Sequence, residues 1–282
     1  MTITIPVALL MLASLQQTDT TLAVPPSARL QLQNQTGSIK VTAWDRNEMR
    51  VRAEHGTRDQ IEITVRGSVV EVDAQRRRGM PAFVDYEITV PRTMSLELSG
   101  QETEIAVEGV TGAIRAESVE GGVTIRGAGG PVEVHTVEGD IVIDGARGTV
   151  KVEGVEGDIT LTNVGGDLTV ETTDGDVTLE NVDAANVEVS TVDGDVSYHG
   201  AIKDGGRYGF SAHSGDIVVG IPATVNAAVS VATFDGSFEA DPAFKVQVTN
   251  VRPGRRFSFT LGSGAARVEL ESFDGTIRLE RR

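Results

Sequence analysis

The chain has 282 residues, with 32 glycines, no cysteine and 4% aromatic residues, so disulfide staples, thiolate metal sites and cysteine nucleophiles are excluded. Asp and Glu number 41 against 25 Lys and Arg, and the resulting net charge of −16 opposes wrapping nucleic acid or lying on an anionic membrane. With 39% hydrophobic and 23% charged residues the acidity belongs to a folded chain, read here as one extended domain held by many small aliphatic contacts.

Ile3–Leu15 is an uncharged apolar run of the length of a signal-peptide core, and the chain turns polar at once with Gln16, Gln17, Thr18 and Asp19. The run is shorter than the about 20 residues of a membrane span. It predicts that residues 1–17 are a signal peptide and that the mature chain is exported to the periplasm, the cell surface or the medium, without inserting in a membrane. No Lys or Arg precedes the run and Ala13 and Ser14 are its only small residues near the end, so an N-terminal strand is the competing reading. No cysteine follows it, and a lipid anchor is not expected. Asn34-Gln35-Thr36 fits the glycosylation pattern. Residues 18–93 are read as an N-terminal β cap, because an open coil end would expose apolar side chains and unpaired backbone. Within the cap, Arg76-Arg77-Arg78 falls in a solvated loop before Gly79 and Pro81.

From Met94 a nine-residue register runs without a gap through units starting at 94, 103, 112, 121, 130, 139, 148, 157, 166 and 175. Position 0 is glycine from Gly112 onward. Position 2 is aliphatic (Ile114, Val123, Val132, Ile141, Val150, Ile159), and so is position 4, apart from Ala116 (Ile125, Val134, Ile143, Val152, Leu161). Position 3 between them is mostly polar. This alternation predicts one short strand per unit with positions 2 and 4 inward. Position 6 is Gly, Ser, Thr or Asn, the composition of a turn. Position 7 is often Val (Val110, Val119, Val137, Val155, Val164, Val182) and is read as a third inward residue. The register resumes after Ala184 and continues through Gly194, Gly206, Gly215, Ala227, Ala266 and Gly275, with loops that include 240–264.

Four-residue corners leave no room for crossover helices, so the chain is predicted to wind as an all-β, parallel β-solenoid over residues 94–282. The competing fold is an antiparallel meander, since Glu-Gly and Asp-Gly also make hairpin turns. Winding is favoured because units alternate in character, giving an 18-residue coil of two strands. Flanking position 0 in every second unit stand Glu102 and Glu104, Glu120 and Gly122, Glu138 and Asp140, Glu156 and Asp158, Asp174 and Asp176, Asp193 and Asp195. Stacked coils would set these carboxylates in two rows about 4.8 Å apart. Each neighbouring like pair then costs about 0.9 kcal/mol in water before salt screening. Corner formation and solubility account for such rows. The sharper alternative is a cation-binding edge for Ca²⁺ built from Glu138, Asp140, Glu156, Asp158, Asp174, Asp176, Asp193 and Asp195. The calcium β-roll pattern GGxGxD is approached only by Gly165-Gly166-Asp167, which lacks the further glycine.

Thr36–Asp45 (TGSIKVTAWD), Tyr86–Pro91 (YEITVP), the Val-Glu-Gly-Asp-Ile and Val-Asp-Gly-Asp-Val corners, Ile221-Pro222-Ala223 and Phe273–Ile277 (FDGTI) together resemble a large bacterial family of adhesin-like proteins with β-strand repeats. That family is a domain of unknown function related to autotransporter-adhesin head domains. The resemblance covers about Leu22 to Leu279 and implies a surface or envelope β-solenoid, with no catalytic residues to carry over.

An enzyme needs converging acid, base and stabiliser. The carboxylates here sit at repeat positions, and His55, His135, His199 and His213 show no metal or triad spacing. His135 and His199 are read as exposed. Trp44 is the only tryptophan, and the aromatics gather in Tyr198, Tyr208, Phe210, Phe234, Phe238, Phe244, Phe257, Phe259 and Phe273, as core filling for wider C-terminal coils or as a patch. The sequence therefore reads as a non-enzymatic, adhesin-like binding or scaffold module with no cofactor, whose ligand is a surface protein or glycan. A carbohydrate-active β-helix enzyme with its site in the C-terminal coils is the alternative.

Overall fold

The computed structural model describes residues 15–25, 27–76, 82–222, 224–244 and 255–282. Most of the apolar run Ile3–Leu15, together with Arg77 and Arg78, lies outside them. The N-terminal region supplies β1 (Leu15–Ala23), β2 (Arg29–Trp44), β3 (Glu48–Gly56), β4 (Asp59–Arg66), β5 (Val69–Arg76) and β6 (Phe83–Pro91), followed by the long β7 (Ser95–Glu108). Six coils of two strands each come next: β8 (Ile114–Glu120) with β9 (Val123–Arg126), β10 (Val132–Glu138) with β11 (Ile141–Asp144), β12 (Val150–Glu156) with β13 (Ile159–Thr162), β14 (Leu168–Asp174) with β15 (Val177–Val182), β16 (Asn186–Asp193) with β17 (Val196–Gly200), and β18 (Arg207–Ser214) with β19 (Ile217–Ile221). The chain ends with β20 (Ala227–Thr233), β21 (Ser237–Ala240), β22 (Arg255–Leu261), β23 (Ala266–Asp274) and β24 (Thr276–Arg281).

The strands form two parallel ladders. One runs through β7, β8, β10, β12, β14, β16 and β18, the other through β7, β9, β11, β13, β15, β17 and β19. Ile141 lies beside Ile159 and Ile143 beside Leu161, a displacement of one 18-residue coil, so this is a β-solenoid and not a meander. Alternation then does the rest. Ile141, Ile143, Val150, Val152, Ile159 and Leu161 are at most 1% exposed, each resting on its counterpart in the next coil. Burial contributes about 1.5–3 kcal/mol per such side chain, which is how a chain with few aromatics holds a core.

At both ends the stacking departs from chain order. The sequence predicts that each strand pairs with its copy one coil later. Instead β23 lies between β18 and β20, and β24 between β19 and β21, so the last coil of the chain is inserted beneath the one that precedes it. The N-terminal end mirrors this. The coil formed by β2 is flanked on one side by β7 and on the other by β5 and β6, so the parallel ladders extend beyond Met94. Antiparallel strands finish the stack: β4 on β5, β3 on β6 and β1 on β3 at one end, and β22 on β20 at the other. Asn34 of the glycosylation triplet is 4% exposed and its Nδ2 donates to Val84 O at 2.9 Å, so its amide is committed to holding β2 against β6.

Beside its antiparallel pairing with β3, β1 is tied down by one carboxylate. Asp19 accepts from Arg50 Nε at 2.8 Å and Arg50 Nη2 at 2.6 Å, and from Arg52 Nε at 3.2 Å. The Arg50 hydrogen bonds, reinforced by Arg52 against a smaller desolvation effect, hold its pKa down at about 2. A depressed carboxylate stabilises the fold above its ordinary pKa and stops doing so as pH falls through the depressed one. An Asp19→Asn variant is therefore expected to melt slightly below the parent at pH 6, with the difference closing between pH 4 and pH 2. The effect is small because the pair is exposed.

Candidate functional site

The two corners of each coil are built differently. On one edge the ladder brings Glu102, Glu120, Glu138, Glu156, Asp174 and Asp193 into a single row, which continues into Ser214 and Asp274. Between this row and the next stands a column of glycines: Gly121, Gly139, Gly157, Gly175, Gly194, Gly215 and Gly275, all with φ between 122° and 153°. On the opposite edge the turn residues Gly109, Gly127, Gly145, Asn163 and Asn181 have φ between 53° and 78°, the left-handed conformation that Asn tolerates after Gly.

The second acidic row has a task that its sequence alone does not disclose. The backbone N–H of Asp158 donates to Asp140 Oδ1 at 3.0 Å, that of Asp176 to Asp158 Oδ1 at 3.0 Å, that of Asp195 to Asp176 Oδ1 at 2.8 Å, and those of Asp216 and Thr276 continue the chain at 2.7 Å each. Each aspartate thus fastens the corner of the coil above it, and the short Asp side chain holds its carboxylate one coil spacing away. A hydrogen bond to a charged acceptor contributes about 1.5–3 kcal/mol, more than the about 0.9 kcal/mol that neighbouring like charges cost in water. All eight residues named for a cation edge are brought together along this corner. Among the described residues, no group of three or more His, Asp or Glu is arranged to hold a metal ion. An Asp158→Ala variant, which deprives the Asp176 N–H of its acceptor, is expected to lose about 1 kcal/mol. Asp158→Asn keeps an acceptor oxygen and removes a charge, so in low salt it should melt at or above the parent; thermal denaturation of both variants checks the pair.

Positions 6 and 7 correct the sequence reading. At the acidic edge position 6 faces inward: Ser118, Thr136, Thr172, Thr191 and Ser272 are at most 7% exposed, and Ser118 Oγ donates to Thr103 O at 3.0 Å. An inward position 6 turns position 7 outward. Val119 and Val192 are 47% and 50% exposed, and Val137 and Val155 are half-buried, whereas Val110, Val164 and Val182 at the other edge are buried as expected. The outward residues form one ridge in the order Val119, Val137, Val155, Thr173, Val192, His213, Phe273 and Phe234. The His213 ring stacks on Phe273 with centroids 4.7 Å apart, and Phe273 on Phe234 at 4.6 Å and 8°. Phe234, at 61%, is the most exposed large hydrophobic residue among those described.

The aromatics therefore divide between the two readings. Tyr198, Tyr208 and Phe210 are buried, with the Tyr198 hydroxyl donating to Ala201 O and that of Tyr208 to Ala184 O, both at 2.8 Å. Burial pushes both tyrosine pKa values up. Phe244 is buried, while Phe238, Phe257 and Phe259 pack together under the last strands. Phe234 and Phe273 instead wall a shallow groove of about 510 Å³ with Val192, His213, Arg256 and Glu271, the last two joined by an ion pair. The histidines stay apart. His55 is buried against Thr18 Oγ1 at 2.9 Å, His135 is exposed 3.6 Å from Glu153, His199 is half-buried, and His213 lies in the ridge.

A family model described as Toastrack DUF4097 matches residues 27–280. A solved structure of a "putative adhesin" from Bacteroides fragilis is 14% identical, covers 95% of this chain and 98% of its own, and superposes with a TM-score of 0.48. One of a "putative cell adhesion protein" from Clostridium sporogenes is 11% identical, with coverage of 95% and 100% and a TM-score of 0.29. No curated protein matches.

Proposed function

Because this chain belongs to the Toastrack DUF4097 family, we propose that it is an exported, non-enzymatic β-solenoid that serves as an adhesin-like binding or scaffold module of the cell envelope or surface. The observation that carries this reading is the parallel register kept from β2 to β20, which repeats outward-facing side chains in rows about 4.8 Å apart. Binding through such rows needs a long regular surface and no convergence of acid and base. Export rests on Ile3–Leu15.

Two measurements test it. The protein recovered from its native host should begin after the apolar run, and a product that still starts at Met1 would end the export claim. The same protein, screened against glycans and envelope fractions, should bind at least one of them saturably and leave all of them chemically intact. Cleavage of a uronate or neutral glycan that disappears in a Glu271→Gln variant would replace this reading with the enzyme alternative.

A further inference from the structure

Building on the binding-module reading, we propose that the ridge from Val119 to Phe234 is a docking track for an extended, lysine- and arginine-rich polypeptide. The ridge is mostly apolar, interrupted by Thr173 and His213, with Val119, Val192, Phe273 and Phe234 exposed and Val137 and Val155 half-buried, and acidic residues flank it. On one side lie Glu120, Glu138, Glu156, Asp174 and Asp193. On the other, the row two residues before the ridge reads Glu117, His135, Glu153 and Glu171, with Glu117 paired to Arg115 and Glu153 to Lys151.

Lysine and arginine match that cross-section. Their methylene stems cover apolar surface while the charged head reaches outward to an acid. A valine beside an acid of the first row offers both parts of that contact at Val119, Val137, Val155 and Val192. The aromatic end adds a stronger anchor, since the outer face of Phe234 is open to a guanidinium or ammonium group and Asp235 adjoins it in the chain. The groove there also includes Thr191 and Thr233, 3% and 4% exposed, whose hydroxyls lack a hydrogen-bond partner.

Other occupants fit less well. A second copy would bring the same carboxylate rows, and a net charge of −16, against the first. A neutral sugar gains only the outer face of Phe234, because Phe273 is covered on both faces by His213 and Phe234, and it makes no use of the row of charged acids.

Fluorescein-labelled decalysine, titrated into the full chain at physiological ionic strength and followed by anisotropy, tests the proposal. Saturable binding is expected. Replacing Val119, Val137, Val155 and Val192 together by Ser, which leaves the charge untouched, should weaken it about tenfold, and so should Glu120→Gln with Glu138→Gln and Glu156→Gln. If the four-valine variant unfolds early, Phe234→Ala with Phe273→Ala gives the same reading from the other end of the ridge. Undiminished binding by a folded valine or phenylalanine variant would reduce the effect to general charge attraction and overturn the proposal, as would displacement of decalysine by a neutral oligosaccharide. An envelope component captured by a chain that ignores decalysine would leave the binding-module function standing and remove this inference alone.

Discussion

A chain that stops at Gly264 should lose the order of its last coils altogether rather than shed one layer. In a solenoid stacked in chain order, removing the final segment uncovers a new end and leaves the rest in place. Here β23 and β24 lie inside the stack, and their loss detaches β20, β21 and β22 from the body, because β20 and β21 reach it only through them. Val268, Leu270, Ile277 and Leu279, each at most 1% exposed, leave the core together. At about 1.5–3 kcal/mol per side chain, their loss rivals the about 5–15 kcal/mol by which whole domains are stable. Coils far from the cut contact only their own neighbours, so the damage stays local. Amide hydrogen exchange should show β20 to β22 near the unfolded rate while β8 to β13 keep their protection. Full protection of β20 in the truncated chain would refute the inserted arrangement.

Along the glycine column of the acidic corner, Gly175→Ala is expected to cost about 3–5 kcal/mol when backbone strain and forced overpacking are combined. Gly175 has φ of 126°, and a Cβ built on it would stand 2.2 Å from Gly157 O, a backbone atom that cannot swing aside. Shifting it means lifting one coil off the next, which also stretches the hydrogen bond from the Asp176 N–H to Asp158 Oδ1. Gly209→Ala is the matched control: it lies within β18, no atom stands within 4 Å of its Cβ, and its φ is not in the left-handed range. Urea denaturation of the two variants should separate them by at least 2–3 kcal/mol, roughly the strain contribution alone. Equal midpoints would mean that the glycine column reflects turn preference and not close approach.

The coil was legible because it is written locally. Gly at position 0, aliphatic residues at positions 2 and 4 and an acid beside every second glycine each follow from one corner or one strand, and the 18-residue register repeats them. Stacking order at the ends was not legible, because the strands share one pattern. Val229 and Val231 of β20 carry the same alternation as Val268 and Leu270 of β23, and that pattern alone does not say which pair lies on β18. A signal for the N-terminal coil was present, since Ala28, Leu30 and Leu32 followed by Gly37, Ile39 and Val41 keep the nine-residue spacing. It is separated from the main run by β3 and β4 and so reads as a cap. Position 7 misled for a subtler reason: a valine after a small residue looks the same whether that residue turns the chain or faces the core. The ridge, the stacked rings of Phe234 and Phe273 and the aspartate hydrogen bonds all depend on which coil lies next to which. None of them is contained in a single repeat.

Because the last coil is tucked one layer inside the stack and antiparallel strands close both ends, the place where this molecule can be lengthened with its closures intact is its waist. Splicing another 18 residues between β11 and β12, in phase with the pairing of Ile141 and Ile159, would add a layer while both closures stay as they are. Reach from one end of the solenoid to the other is thus an adjustable dimension, set by how many interchangeable layers separate two fixed lids.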